Sequence, residues 1–474
     1  MIRWGISAGH HDAAISVVED DKILFAGHAE RYSGIKNDKN LNRALVQDAE
    51  QHGMPEELCW HESPFWKNTR RLYSGQKWQR NNVKKLLRSY GLDGKIKYTT
   101  HHKSHAAAGI FTSPFHNTIA IVIDAIGEWT TSSIWSGALG KFWSTRYPTS
   151  LGMFYSAITD RCELKANEDE YILMGMAAYG DPDRYYDDMK PLLQQNLQHG
   201  CRSWQEHQDD PHRTLYFDFA AAAQKIYEEE FKKILERSKK YDYSNNLILQ
   251  GGCALNCVAN NIALEYYDNV WIMPNPGDAG SSLGAVLAHT QEHVDFTPYL
   301  GYNIEGEYPV FPILIELKKG NMVGVANGKA EFGPRALGNR SLFADPRGTD
   351  VKVRVNKIKR RQEFRPFAPV IMEQFANNYF DMPVREAPFM QYTVKCREPK
   401  KYPAIVHVDN TSRVQTVNKK QHPGLYNLLE EFYYETGCPM LLNTSLNIKG
   451  KPIVNTSKDG EAFERMYGVK VCTS

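Results

Sequence analysis

The chain is poor in cysteine and nearly without net charge. Its 8 cysteines among 474 residues are scattered, and the close pair Cys253 and Cys257 has no second pair to complete a zinc site. Reduced, structural thiols are expected. Lys plus Arg number 57 against 55 for Asp plus Glu, a formal net charge of +2. No global pull towards nucleic acid or membrane follows, so any such preference must be local. Long apolar runs are also missing. The start, MIRWGISAGHH, has no run of signal-peptide length, and no later stretch reaches membrane-spanning length. The expectation is a cytoplasmic protein. What the chain does have is size and a 42% hydrophobic content, enough for two or three domains with cores.

One stretch, YTTHHKSHAAAGIFTS from Tyr98 to Ser113, predicts a short strand (Ile96 to Thr100) running into a small-residue helix. That helix carries His101 and His105 one turn apart on a single face, where two imidazoles can converge on one metal ion. The alternative is a helix start whose histidines are polar caps. Two isolated aspartates at glycine-flanked strand ends, Asp124 in IVIDAIGEW and Asp278 in MPNPGDAGSS, favour the metal. A His2Asp2 set suits iron, manganese or zinc, and iron is the first choice.

Residues 2 to 29 read as three strands joined by tight turns, and the same plan returns about a hundred residues on, from Thr118 to Pro148. A duplicated unit of this kind, with polar groups at each first turn, is how an actin-like ATPase grips phosphate from two sides. The turns present His11 and Asp12 from one copy, and Asp124, Gly127 and Glu128 from the other; two ordinary hairpins are the alternative. Further along, NLILQGGCALNC places Gly251 and Gly252 after a buried strand, where a ring or phosphate can approach the backbone. Asp278 ends the next strand, on the rim where open α/β sheets bind nucleotides.

Between the copies, residues 56 to 93 read as helical and basic. From Ser63 to Leu92 there is no acid, but there are Lys67, Arg70, Arg71, Lys77, Arg80, Lys84, Lys85 and Arg88 among Phe65, Trp66, Tyr73 and Trp78. Two readings compete: a surface for a phosphate-bearing partner with stacking bases, or a solvated helix face whose aromatics enter the core. Residues 150 to 245 read as mostly helical. A Pro- and Gly-rich linker, Pro298 to Pro312, then leads to a second domain dense in arginine. Its arginines stand beside Gly and Pro, as in EFGPRALGNRS with Arg335 and Arg340, which points to clamps on phosphate or carboxylate.

Ten motifs now stand in one order: GHHDAA, AERYSGIKND, HHKSH, VIDAIGEW, GGCALNCVAN, PNPGDAGSSLGA, EFGPRALGNRS, IKRRQEFRPFAP, HVDNTSRVQT and NTSLNIKGKPIV. Together they resemble the signatures of the O-carbamoyltransferases that decorate nodulation factors and antibiotics, over almost the whole chain. The resemblance implies an α/β protein of two domains. Residues 1–300 would form a duplicated actin-like ATPase-fold domain that transfers carbamoyl. Residues 301–474 would form an α+β domain like a threonylcarbamoyl-AMP synthase, binding carbamoyl phosphate and making carbamoyl-adenylate with ATP.

By the same resemblance His11 is the catalytic histidine, and His101, His105, Asp124 and Asp278 are the metal ligands. Gly127, Gly251, Gly252 and Asn256 are candidates for ATP or the adenylate. Arg335, Lys359, Arg361, Arg365, Arg413, Ser445 and Asn447 are candidates for carbamoyl phosphate. The sequence departs from the family pattern at Ala125, where Gly is usual, and at Ile172, where Lys is usual. Leu446 and Lys451 replace a usual Phe and Glu. The expected partners are ATP, carbamoyl phosphate and an acceptor hydroxyl, with a hydroxymethylated nucleotide or DNA as candidate acceptor. No membrane partner is expected, and a homodimer is a candidate assembly. The rival readings are an actin-like small-molecule kinase and an inactive nucleotide- or nucleic-acid-binding scaffold.

Overall fold

The computed structural model describes residues 1–79, 82–201, 215–241 and 244–474. The chain separates into two compact units, Met1–Ala26 with Lys39–Phe296, and Gly27–Asp38 with Thr297–Ser474. The expectation of a single cut at residue 300 misses the excursion of Gly27–Asp38 into the second unit. Arg31 explains it: this buried side chain donates from Nη2 to the carbonyls of Glu331 (3.1 Å) and Gly333 (3.2 Å), while His28 packs edge-on against Phe332.

The first unit holds two five-stranded sheets of one design. Strands β1 (Ile2–Ser7), β2 (Ala14–Glu19), β3 (Lys22–His28), β4 (Glu57–Trp60) and β5 (Ile96–Tyr98) lie in the order β3-β2-β1-β4-β5. Strands β6 (Ile119–Gly127), β7 (Thr130–Ser136), β8 (Lys141–Arg146), β9 (Asn246–Gln250) and β10 (Asn269–Trp271) repeat it as β8-β7-β6-β9-β10. In each copy the first strand is antiparallel to the second and parallel to the fourth. This duplicated α/β architecture is actin-like. Strands β6 and β9 are almost continuously buried, as their unbroken apolar runs require of strands covered on both faces.

Each sheet is followed by a helix that crosses to the other. The helix His101–Thr112, which follows β5, packs on β6 and β9, and the helix Ser281–Thr290, which follows β10, packs on β1 and β2. The two helices also pack on each other. A Cβ at Gly284 would sit 1.8 Å from the Ser104 carbonyl oxygen, so this approach requires glycine.

The segment between the copies contains β4 and the helices Pro64–Tyr73 and Val83–Ser89; the second helix exposes Lys84, Lys85 and Arg88 as a solvated basic face, and the first departs from that reading. In the first helix Lys67, Asn68 and Arg70 are buried, whereas Phe65, Trp66, Leu72 and Tyr73 face outward, Tyr73 at 71% exposure. Burial is tolerated because Lys67 Nζ donates to Glu62 Oε1 at 2.7 Å. Arg80 lies outside the described residues. The long helix Leu215–Ser238 bears out the helical character of its region.

The expected linker is ordered structure. It contains β11 (Tyr299–Ile304), paired with β13 (Gly328–Glu331), and the start of the helix Val310–Lys318. A six-stranded mixed sheet follows, in the order β18-β15-β19-β14-β12-β20. Its strands are β12 (Val323–Ala326), β14 (Arg340–Ala344), β15 (Ala368–Met372), β18 (Gln415–Val417), β19 (Met440–Ser445) and β20 (Val471–Cys472). Strands β16 (Thr393–Lys395) and β17 (Thr411–Arg413) form a separate antiparallel pair.

The EFGPRALGNRS loop folds around a buried carboxylate. Glu331 Oε1 accepts from the backbone N–H groups of Leu337 (2.8 Å), Asn339 (2.9 Å) and Arg340 (3.2 Å). Arg340 is fully buried and donates to the carbonyls of Asn327, Gly328, Asn339, Tyr302 and Asn455. It is a structural strut, contrary to the clamp expected from its glycine-flanked setting. Arg340→Met should strip the donor from these acceptors. Each buried acceptor left without a donor costs on the order of 1–3 kcal/mol, so the thermal transition of the second unit should fall by several degrees. An unchanged midpoint would mean that the guanidinium is free for a ligand.

Candidate functional site

In the first unit four side chains from three elements meet. His101 and His105 come from the helix after β5, Asp124 from β6, and Asp278 from the turn before the helix Ser281–Thr290. One ligand atom from each lies within 4.8 Å of all the others. His101 Nε2 is 2.9 Å from Asp124 Oδ2 and 3.2 Å from Asp278 Oδ1, and His105 Nε2 is 3.6 and 3.3 Å from the same atoms.

These spacings are those of atoms around one ion. Ligands roughly 2.0–2.2 Å from a metal stand about 2.9–3.6 Å apart in octahedral or tetrahedral arrangement. The two Nε2 atoms are 3.1 Å apart, and at that distance both cannot carry a proton. One lone pair therefore faces two carboxylates, a charge pattern that a divalent cation completes. The donor set fits a borderline metal.

The four groups are strongly coupled. Burial opposes charge on His101, but Asp278 and Asp124 outweigh it and hold its pKa well above that of a free imidazole. Burial likewise works against both carboxylates, and the two histidines keep Asp124 and Asp278 well below the usual carboxylate range. The Nδ1 atoms of His101 and His105 are buried without a hydrogen-bond partner. Ring orientation is therefore set by packing. A Cβ at Gly127 would sit 2.4 Å from His101 Cδ2, so this glycine makes room for the imidazole.

His11 stands beside the cluster. Its Nδ1 is 2.8 Å from Asp12 Oδ2, and its Nε2 is 3.5 Å from Asp278 Oδ2. Burial lowers its pKa, but Asp278 and then Asp12 more than reverse this and raise it to about 9. Of the nucleotide candidates, Gly251 adopts φ 89° and Gly252 faces Asp124, its ideal Cβ 3.2 Å from Oδ1. Asn256 differs. Its amide is taken up by Gln224 and by the Ala259 N–H, which ties it to the helix Leu215–Ser238. Among the departures from the family pattern, Ile172 is a buried core residue, and Ala125 donates its N–H to Asp124 Oδ1 at 2.8 Å.

A second cluster forms in the other unit. Lys359, the last residue of the helix Val351–Lys359, donates from Nζ to Ser445 O (2.5 Å), Ser445 Oγ (3.1 Å) and Asn447 Oδ1 (2.6 Å). Burial, then Arg361, Arg365 and Lys36, pull its pKa well below that of a free lysine. Arg361 donates to Asn356 Oδ1 (2.7 Å) and Pro366 O (3.1 Å) and stacks 3.8 Å from the Phe367 ring. Arg413 ends β17, with Nε buried and without a partner. Arg335 and Arg365 are half-buried. Cations thus gather around Lys359 Nζ, whose own hydrogen-bond partners are the neutral groups of Ser445 and Asn447.

Sequence reasoning did not single out Lys36, Asn356, His61 or His102. His61 lies beside His101, ring centroids 5.6 Å apart, with both nitrogens unpartnered. The signal for His102 was present in the doubled histidine of HHKSH, but periodicity favours the spacing of four.

Comparison with known proteins finds one family along most of the chain. A sequence model of the carbamoyltransferase N-terminus matches residues 63–287, and one of the carbamoyltransferase C-terminus matches residues 315–471. An uncharacterized protein of Synechocystis sp. is 31% identical over 96% of this chain and 92% of its own. The nodulation protein NolNO of Sinorhizobium fredii is 30% identical over 95% of this chain and 76% of its own. The 3'-hydroxymethylcephem-O-carbamoyltransferase of Amycolatopsis lactamdurans is 26% identical over 95% of this chain and 94% of its own. No helix among the described residues is long and apolar enough to cross a membrane. The chain belongs to the carbamoyltransferase family of enzymes.

Proposed function

We propose that this enzyme is an ATP-dependent O-carbamoyltransferase working in two half-reactions. The observation that carries the reading is the presence of two unlike sites, a His2Asp2 cluster with His11 beside it in the first unit and a lysine- and arginine-rich anion site in the second. A kinase of the actin-like fold has use for the first site alone.

In the second unit Lys359, Arg361, Arg365 and Arg413, with Arg335, hold the phosphate of carbamoyl phosphate. Bidentate guanidinium contacts suit its oxygens, and the Ser445 hydroxyl and Asn447 amide orient the carbamoyl end. Water cleaves carbamoyl phosphate to carbamate and inorganic phosphate, and the carbamate oxygen attacks the α-phosphorus of ATP. Carbamoyl-adenylate forms and pyrophosphate leaves. Because carbamate is short-lived in water, the two steps must share one enclosed site.

In the first unit the acceptor oxygen attacks the carbamoyl carbon and AMP departs with the bonding pair. His11, whose Nδ1 is held by Asp12, takes the hydroxyl proton at Nε2 in its neutral form, which a cation held at Asp278 would favour by offsetting the carboxylate that raises its pKa. A divalent ion held by His101, His105, Asp124 and Asp278 would stabilise the phosphate charge of the leaving AMP. Gly252, facing Asp124, leaves room for the nucleotide near those ligands.

Two outcomes test this assignment. His105→Ala removes one of four ligands, so elemental analysis should find at least tenfold less bound divalent metal than in wild type; equal content would put the metal elsewhere. The half-reactions should also separate. Arg413→Ala and Lys359→Met should abolish carbamoyl-phosphate-dependent pyrophosphate release. His11→Asn should keep that release while slowing transfer by about 10²-fold or more. Should His11→Asn be as poor in pyrophosphate release as Arg413→Ala, the two-site scheme is wrong.

A further inference from the structure

The turn between β6 and β7 carries Glu128, the residue after Gly127. Its backbone is left-handed, with φ 56°, a conformation that favours glycine and strains a residue with a β-carbon. A side chain kept in such a turn has a task of its own. Glu128 is buried, and its Oε1 accepts the Ser63 N–H at 2.5 Å. Burial raises the pKa of this carboxyl to about 7, and the backbone N–H groups of Ser63 and His101 work against that rise. Both donors stand just beyond strands of the first sheet, Ser63 after β4 and His101 after β5.

Each donor also begins a helix. Ser63 is the N-cap of Pro64–Tyr73, and His101 is the first residue of His101–Thr112, whose N-cap is Thr100; neither N-cap side chain accepts a hydrogen bond from its helix. The first N–H groups of a helix have no partner within it, and the helix dipole favours a carboxylate there. In an ordinary capping box the acid comes from the third position of the helix itself. Here one carboxylate from the second sheet serves two helices. The next residue repeats the connection, since Trp129 Nε1 donates to Thr69 Oγ1 at 3.1 Å and its ring meets that of Tyr73, centroids 5.3 Å apart.

The second of these helices carries His101 and His105, and β6 carries Asp124. His101 Nε2 lies 2.9 Å from Asp124 Oδ2, so any slippage of the helix start against the turn is felt at the cluster. We infer that Glu128 is a positioning residue, a clamp that holds the start of the histidine-bearing helix to the β6–β7 turn and thereby sets the affinity of the His2Asp2 cluster for its ion. This rests on the metal reading given above. Loss of the clamp leaves all four ligands in the chain but lets His101 move away from Asp124. Ligands whose orientation is no longer held bind their metal less tightly.

The test is a titration of the full chain, freed of metal by a chelator, with Co²⁺, read by its visible absorption, which reports both occupancy and coordination geometry. Glu128→Gly removes the clamp while suiting the turn, because glycine takes φ 56° without strain and folding is not in question. It should raise the Kd for Co²⁺ roughly ten- to a hundredfold. Glu128→Gln keeps a carbonyl oxygen for the Ser63 N–H and should recover most of that loss. Hydrogen exchange of the metal-free protein, followed by mass spectrometry, should quicken in Glu128→Gly at the starts of both helices and return towards wild type in Glu128→Gln. The inference is overturned if Glu128→Gly matches wild type in Kd and spectrum, if Glu128→Gln binds as poorly as Glu128→Gly, or if exchange at the two helix starts is unchanged. A wild type that takes up no Co²⁺ would refute the metal reading, and exchange would then judge the clamp alone.

Discussion

The approach of two helices across Gly284 and the Ser104 carbonyl is the constraint on which the first unit depends. One helix brings His101 and His105, and the other begins just after Asp278. Asp124 ends the apolar part of the strand beneath them. A larger residue at 284 would drive the helices apart, and four ligand atoms now within 4.8 Å could no longer share one ion. The same economy of side chains recurs on the sheet side, where a Cβ at Gly5 would sit 1.8 Å from the Ser282 carbonyl oxygen. Small residues here are the means by which a duplicated fold brings both halves to one point.

The second unit gathers positive charge around Lys359, whose Nζ is held by the neutral groups of Ser445 and Asn447. Burial and then the like charges of Arg361, Arg365 and Lys36 depress its pKa, and an anion held there, as proposed, would offset that repulsion. The surrounding frame must therefore be held by groups that do not compete for the ligand. Glu331 and Arg340 do this by hydrogen bonding to backbone rather than to each other's neighbours in the anion site. Arg31 from the amino-terminal excursion adds a further backbone anchor.

Much of this was readable before the structure, and the reason is spacing. Two histidines four apart on a helix, and aspartates at glycine-flanked turns, carry their geometry in the sequence. The duplicated strand plan and the long helix were likewise marked by apolar periodicity. Side-chain direction was harder. The helix Pro64–Tyr73 has the composition of a solvated basic face, yet a buried Glu62 draws Lys67 inward and the aromatic residues turn out. Arg340 has the flanking glycines of a ligand clamp, but carbonyls from distant parts of the chain saturate it. The linker between units was misread because Pro, Gly and Tyr between Pro298 and Pro312 conceal a strand whose partner, β13, lies some thirty residues on. The Arg340 and linker errors concern contacts made by residues far away in sequence, whereas the Lys67–Glu62 pair is local and was hidden by burial rather than by distance.

Product identity is the most direct test of the account. Phosphorus-31 NMR of the enzyme with ATP, carbamoyl phosphate and an acceptor should show AMP and pyrophosphate accumulating together with inorganic phosphate. Appearance of ADP without AMP or pyrophosphate would contradict a carbamoyl-adenylate and return the first unit to the chemistry of a kinase.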